Sequence, residues 1–298
     1  MTISIETLRE LRHEFHRFPE LGFQEKQTKI KIAKFLRAKG LEVVEGVGVI
    51  GILRSGVGKK TIGLRADMDA LPIQETSTHS YSSTYPGVMH ACGHDGHMTM
   101  LLGAAEELAH SLDFDGTVIF IFQPNEENGL GAKAMLDEGL LLKFPLSDIF
   151  ALHNLPGIET GHLLTRKGLI CSSESLFEIR LKGRGGHASM PHVGRDTISV
   201  GSEIIQSLQN IISKRLPPGS GSVLSVTEFI SDGARNVLPG TSLIKGDVRS
   251  RNEEDRLEIK RLMNKIVEGI SCAHEIDSQV SFNTEFVETI NSADQTET

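Results

Sequence analysis

TVIFIFQPNEE, residues 117–127, carries an unbroken apolar run of β-branched and aromatic side chains straight into a pair of carboxylates. An apolar run with no wet alternate positions is the pattern of a strand covered on both faces. Pro124 ends it, so Glu126 and Glu127 come at its carboxyl end. Working outward, further short apolar runs lie at 41–44, 49–53, 61–66 and 148–152, and helical periodicity falls at 5–15, 24–39, 96–110 and 131–139. Covered strands alternating with helices predict an α/β layer fold, whose sites form beyond the carboxyl ends of the strands.

From 174 the pattern changes. ESLFEIRLK (174–182) alternates like a strand with one solvated face, Asp196 can cap a helix running to about Arg215, and strands are expected at 222–230 and 242–249. An amphipathic helix at 253–270 and a last strand at 279–287 complete the order β-α-β-β-α-β, that of a ferredoxin-like α+β domain.

Composition narrows the function. The 298 residues are 39% hydrophobic and 23% charged, a globular balance sufficient for roughly two domains. A net charge of −8 argues against nucleic acid and anionic membrane as partners. Three scattered cysteines form no disulfide framework, no apolar run approaches the roughly 18 residues of a membrane span, and MTISIETLRELRHEF lacks a signal-peptide core. A cytoplasmic protein is expected.

The strand ends carry metal-ligand chemistry. The 61–66 strand runs into Asp67 and Asp69, the central strand into Glu126 and Glu127, and 148–152 into His153. MHACGHDGH (89–97) adds His90, Cys92, His94, Asp95 and His97 at a helix entrance. Taken singly, a Cys-x-His arises by chance and a Glu-Glu pair is usually solvated. Converging on one sheet edge, thiolate, imidazole and carboxylate make the ligand set of Zn²⁺, Mn²⁺, Co²⁺ or Ni²⁺. Adjacent glutamates suit a division of labour, one binding metal while the other takes a proton from water. No G-x-S-x-G serine elbow is present, and GVGKKT (56–61) lacks the residues of a phosphate loop and reads as a hairpin turn between two strands. His13, His16, His79, His110, His162 and His274 have no comparable setting and read as structural.

FPELGFQE (18–25), LRADMDALP (64–72), MHACGHDGH, QPNEE (123–127), ALHN (151–154), GRGGHASMPH (183–192) and ARNVLPGT (234–241) to GDVRS (246–250) follow in an order that resembles the M20 family of metal-dependent amidohydrolases and peptidases. The resemblance is specifically to the N-acyl-amino-acid amidohydrolase branch, hippurate hydrolase- and IAA-amino-acid hydrolase-like. It implies an exopeptidase-like catalytic α/β domain at 1–172, an inserted ferredoxin-like lid and dimerisation domain at 173–287, and a return toward the catalytic domain beginning at 288–298.

By the same resemblance, Cys92, His94, Glu127 and His153 match ligands of two divalent ions, Mn²⁺ or Zn²⁺ with Co²⁺ or Ni²⁺ also admissible. Cys92 would bridge them. Glu126 matches the general base and Asp69 the supporting carboxylate, while Asp67 stands where the wider family has a histidine. His187, Asn236 and Arg249 resemble lid residues that recognise substrate, Arg249 as partner for its carboxylate. The expected substrate is a small N-acyl amino acid and the expected assembly a homodimer through the lid. The branch carries one more histidine ligand beyond the lid, which the resemblance would put past Thr298, so a weakened second metal site is expected. A dipeptidase or aminoacylase of the same family, or an inactive piece that only dimerises, are the alternatives.

Overall fold

The computed structural model describes residues 4–297, which divide into two compact units between His162 and Leu163. The first unit runs α1 (Ile5–Arg17), α2 (Lys26–Ala38), β1 (Glu42–Glu45), β2 (Val49–Ser55), β3 (Thr61–Asp67), α3 (His94–Ser111), β4 (Gly116–Gln123), α4 (Gly131–Asp137), α5 (Leu140–Lys143) and β5 (Asp148–Ala151). Its five strands are ordered β1-β2-β4-β3-β5, with β3 parallel to both β4 and β5.

The apolar run that opened the reading is the middle strand, β4. Side chains alternate across a strand, so Val118, Phe120 and Phe122 pack with α1, α2 and α3 while Ile119 and Ile121 pack on the other face with Met135 of α4. Burying side chains of this size contributes about 1.5–3 kcal/mol each, and β4 buries them on both sides.

One expectation is corrected. Residues 56–60 are not a hairpin turn, because β2 and β3 do not pair: β4 lies between them, antiparallel to β2 and parallel to β3. The strand with the most apolar surface to hide takes the centre, and the connection must cross its end. Asp115 holds that crossing, its Oδ1 accepting from the N–H groups of Val57 (2.8 Å) and Gly58 (2.6 Å).

The second unit contains β6 (Gly168–Cys171), β7 (Ser173–Lys182), β8 (Gly186–His187), α6 (Thr197–Asn210), β9 (Val223–Ser231), β10 (Val237–Leu238), β11 (Thr241–Ser250), α7 (Glu253–Ala273), β12 (Asp277–Phe286) and β13 (Thr289–Asn291). β7, β9, β11 and β12 form an antiparallel sheet ordered β12-β7-β11-β9, the ferredoxin-like arrangement, with α6 and α7 buried against one face. Asp196 caps α6 as expected, its carboxylate accepting from Ile198 and Ser199. This unit begins at Leu163 because β6 pairs with β13. Among the described residues no helix is long and apolar enough to cross a membrane.

Candidate metal centre

Parallel pairing places the acidic strand ends side by side. Asp67 at the end of β3 is in register with Gln123 of β4, and Arg65 with Ala151 of β5, so the stretches carrying Asp69, Glu126–Glu127 and His153 leave the sheet at one edge. The fourth contributor enters from the start of α3. Gly93 sits there at φ +89°, and a Cβ on it would lie 2.3 Å from Asn154 Oδ1. Glycine therefore lets the Cys92–His94 turn close against the residue that follows His153.

Hydrogen bonds aim the imidazoles. His94 Nδ1 donates to the carbonyl of Asp69 at 2.8 Å, turning Nε2 into the cluster. His153 Nδ1 donates to the carbonyl of Asn154 at 2.7 Å, leaving Nε2 toward Cys92 Sγ at 3.4 Å. Such bonds fix both the tautomer and the direction of a ligating histidine. Around His94 Nε2 lie Glu127 Oε1 at 3.7 Å and Glu126 Oε2 at 3.9 Å. The N–H of Glu127 donates to Asp69 Oδ2 at 3.0 Å, so the predicted supporting carboxylate tethers the loop that carries both glutamates.

The donor set fits a divalent ion. Buried His94 Nε2 and Glu127 Oε1 have no hydrogen-bond partner among the described residues, an expensive condition for polar atoms out of water. Ligand atoms of Cys92, His94 and His153 lie within 4.8 Å of one another, as do those of His94, Glu126 and Glu127. A third group at this spacing, Asp67, His94 and His97, is different because His97 is already used: Nδ1 pairs with Asp67 Oδ1 at 2.7 Å and Nε2 accepts from the N–H of Asn154 at 3.0 Å. His97 therefore belongs behind the ligands. Asp67 keeps its other oxygen on Arg65, 2.8 Å away.

The charges agree. Burial works against the carboxylate of Asp67, yet the His97 hydrogen bond and the Arg65 charge hold it well below its ordinary range. Burial likewise opposes charge on His94, but Asp69, Cys92 and Asp67 outweigh it and push the imidazole up to about 11. The hydrogen bond with Cys92 raises His153 to about 9, and the same bond lowers the thiol. Glu126 and Glu127 are both raised, first by burial and then by neighbouring carboxylates. The cluster thus favours positive charge at its centre, which a dication satisfies.

All six residues expected in the first unit (Asp69, Cys92, His94, Glu126, Glu127, His153) come together there. In the second unit β8 pairs with β10, and the N–H of Ala188 donates to the carbonyl of Asn236 at 3.0 Å, which brings His187 and Asn236 next to each other. Arg249 donates through Nε to Asp247 at 2.9 Å and through Nη2 to Glu174. The sequence named His97 only as one candidate of the MHACGHDGH cluster, read His16 as structural and gave no role to Asn154; His16 is buried, with Nδ1 paired to Asp95 at 2.9 Å and Nε2 facing Glu75 at 3.3 Å. The nearest signal was His97's place inside MHACGHDGH; Asn154 acts through its backbone, which has no side-chain signature, and His16 pairs with side chains 59 and 79 residues away in sequence.

The chain is similar in sequence and fold to known proteins. The sequence model of peptidase family M20/M25/M40 matches residues 63–293. A hippurate hydrolase of Campylobacter jejuni is 41% identical over 284 residues, covering 94% of this chain and 74% of the relative. Thermostable carboxypeptidase 2 of Saccharolobus solfataricus is 38% identical over 280 residues, 92% of this chain and 71% of that one. The crystal structure of a dinuclear metal-binding peptidase of the M20 family from Bacillus subtilis superposes with a TM-score of 0.83 at 32% identity, covering 97% of this chain and 76% of that one.

Proposed function

The chain belongs to the M20/M25/M40 peptidase family, whose chemistry is metal-dependent amide hydrolysis, and from that premise we propose that it cleaves the amide bond of small N-acyl amino acids of the hippurate type. The observation that carries the reading is that, of two adjacent carboxylates around one buried imidazole nitrogen, only Glu127 has an oxygen that is buried and unpaired among the described residues. Glu127 has its backbone fixed by Asp69 and its Oε1 buried without a partner, the situation of a ligand. Glu126 stands 3.9 Å from the same nitrogen, and burial raises its proton affinity as it does that of Glu127; what sets it apart is that neither of its oxygens is among the buried unpaired atoms of the described residues, the situation of a base.

Cys92, His94, Glu127 and His153 would hold up to two divalent ions, Mn²⁺ or Zn²⁺ foremost. Bound there, the ions supply Lewis acidity to a water and to the substrate carbonyl. Glu126 takes the proton of the attacking water and returns it to the departing amine, so that a carboxylic acid and an amino acid leave. Asp69 keeps His94 and the 126–127 loop in place during the exchange.

Residues 1–172 are assigned the catalytic role and 173–287 that of lid and dimerisation domain, with 288–298 beginning the return. In the lid, His187 Nδ1 accepts from the N–H of Ser189 at 3.1 Å, so Nε2 carries the hydrogen and can donate to substrate. Asn236 beside it binds the acyl or amide group. Arg249, with Nε and Nη2 already engaged, would meet the substrate carboxylate through Nη1. β9, the outer strand of its sheet with Val223, Phe229 and Ile230 exposed, is a suitable dimer edge. The three free cysteines suit a reducing cytoplasm.

The test is to strip the protein of metal, restore Mn²⁺, Zn²⁺, Co²⁺ or Ni²⁺ singly, and follow amine release from hippurate, N-acetyl amino acids and dipeptides. Metal-dependent release from N-acyl amino acids is expected. Turnover indifferent to metal, or none on any N-acyl amino acid, overturns the reading. Preference for dipeptides would favour a peptidase, which the similarity to a carboxypeptidase supports as the second reading.

A further inference from the structure

FPELGFQE is the one motif of the first unit that the chemistry above does not use, yet it touches the catalytic loops twice. Glu20 accepts from the N–H groups of Gln27 (3.1 Å) and Thr28 (2.9 Å), capping the first turn of α2, and its carbonyl accepts from the N–H of Ala70 at 2.8 Å, next to Asp69. Glu25 stands at the N-cap position of α2 but makes no cap bond there. It is 2% exposed, and its Oε1 accepts instead from the N–H of Asn125 at 2.8 Å, across 100 residues of sequence.

Asn125 immediately precedes Glu126 and holds φ +44°, a left-handed conformation that costs a non-glycine residue free energy. The same loop is pressed from the other side: a Cβ on Gly22 would lie 1.8 Å from Asn125 Oδ1, so only glycine admits that side chain. A buried backbone N–H in this conformation needs an acceptor, and Glu25 is the acceptor.

We infer that Glu25 is a positioning residue for the hydrolytic loop: by receiving the N–H of Asn125 it holds the left-handed turn that presents Glu126 and Glu127 to the cluster. The inference rests on the reading of Glu126 as base and Glu127 as ligand, and it assigns Glu25 no contact with substrate or metal. What matters is acceptor reach, so charge alone should not replace it.

Three variants separate these roles. Glu25→Leu removes the acceptor and keeps the volume; Glu25→Asp keeps the charge but withdraws the acceptor by one methylene; Glu25→Gln keeps the reach without the charge. With hippurate as substrate, Leu and Asp substitutions are expected to lower kcat about 100-fold while KM moves less than about threefold. Glu25→Gln is expected to stay within about tenfold of the parent, because its amide oxygen still receives the bond. Independently of turnover, amide hydrogen exchange at Asn125 in the metal-free protein should quicken at least about tenfold in the Leu and Asp variants and little in the Gln variant.

Unchanged exchange at Asn125 in the Leu and Asp variants, or a Gln variant as impaired as they are, overturns the inference. Should Glu25→Leu not fold, the Asp and Gln variants decide between the same outcomes. Should the parent hydrolyse no N-acyl amino acid, the functional reading fails while exchange still decides the role of Glu25.

Discussion

His97 and Asp67 meet through a 2.7 Å hydrogen bond, Nδ1 to Oδ1, inside a region where both are almost fully buried. The opposite nitrogen of the same ring receives the N–H of Asn154, whose carbonyl in turn receives His153 Nδ1. Asp67, at the position where the wider family carries a histidine, is therefore tied through His97 to the backbone that orients a proposed ligand.

Replacing His97 by Phe keeps a ring but strands the Asp67 carboxylate and the Asn154 N–H. Affinity for Co²⁺ should fall about 10–100-fold, as for loss of a partner that orients a metal ligand. Titration against a chelating dye measures it. Unaltered affinity would show that His153 needs no such support.

The two adjacent glutamates should separate cleanly. Glu126→Gln is expected to lower kcat by about 10²–10⁴-fold, the usual worth of a general base, with metal content unchanged. Glu127→Gln should instead lose metal. Metal analysis beside kinetics distinguishes them, and metal loss in the Glu126 variant would reverse the assignment.

Gly93→Ala puts a Cβ 2.3 Å from Asn154 Oδ1 at a backbone φ of +89°. Urea unfolding should show a loss of about 1–3 kcal/mol from the strained conformation alone. Adding Asn154→Ala should recover the part due to the clash but not the part due to φ. Full recovery in the double variant would mean that the left-handed backbone costs nothing here.

His90 is 4% exposed with neither ring nitrogen paired among the described residues, and burial pushes its pKa down to about 4 from an ordinary 6.5. The unfolded chain then binds this proton more readily than the folded one, so the stability its neutral form permits is complete above pH 6.5 and is lost as pH falls toward 4. His90→Met removes that proton uptake. The urea midpoint of the variant should decline less between pH 6.5 and 4 than that of the parent; parallel declines would contradict the neutral, buried state.

Much of the candidate site is legible in the chain because most of its carboxylates and His153 follow strands whose apolar runs are unmistakable. LRAD ends in Asp67, IFAL is followed by His153 and TVIFIFQ by Glu126 three residues on, and the geometry of parallel strands gathers such ends. Strand order is less legible. The short 56–60 connection looks like a hairpin locally, and only the competition for the sheet centre inserts β4 between its neighbours.

Local residue type and periodicity therefore determined by themselves the succession of helices and strands and which side chains could bind metal, since each depends on neighbours a few positions away. Tertiary structure alone decided which backbone N–H groups tether the loops that carry the carboxylates, and what holds each histidine in its tautomer. Glu25 with Asn125, Asp69 with Glu127, and His97 with Asn154 are side chains meeting backbone N–H groups 57 to 100 residues distant. Every residue but proline offers that N–H, so no pattern along the chain marks which one a buried acceptor will find.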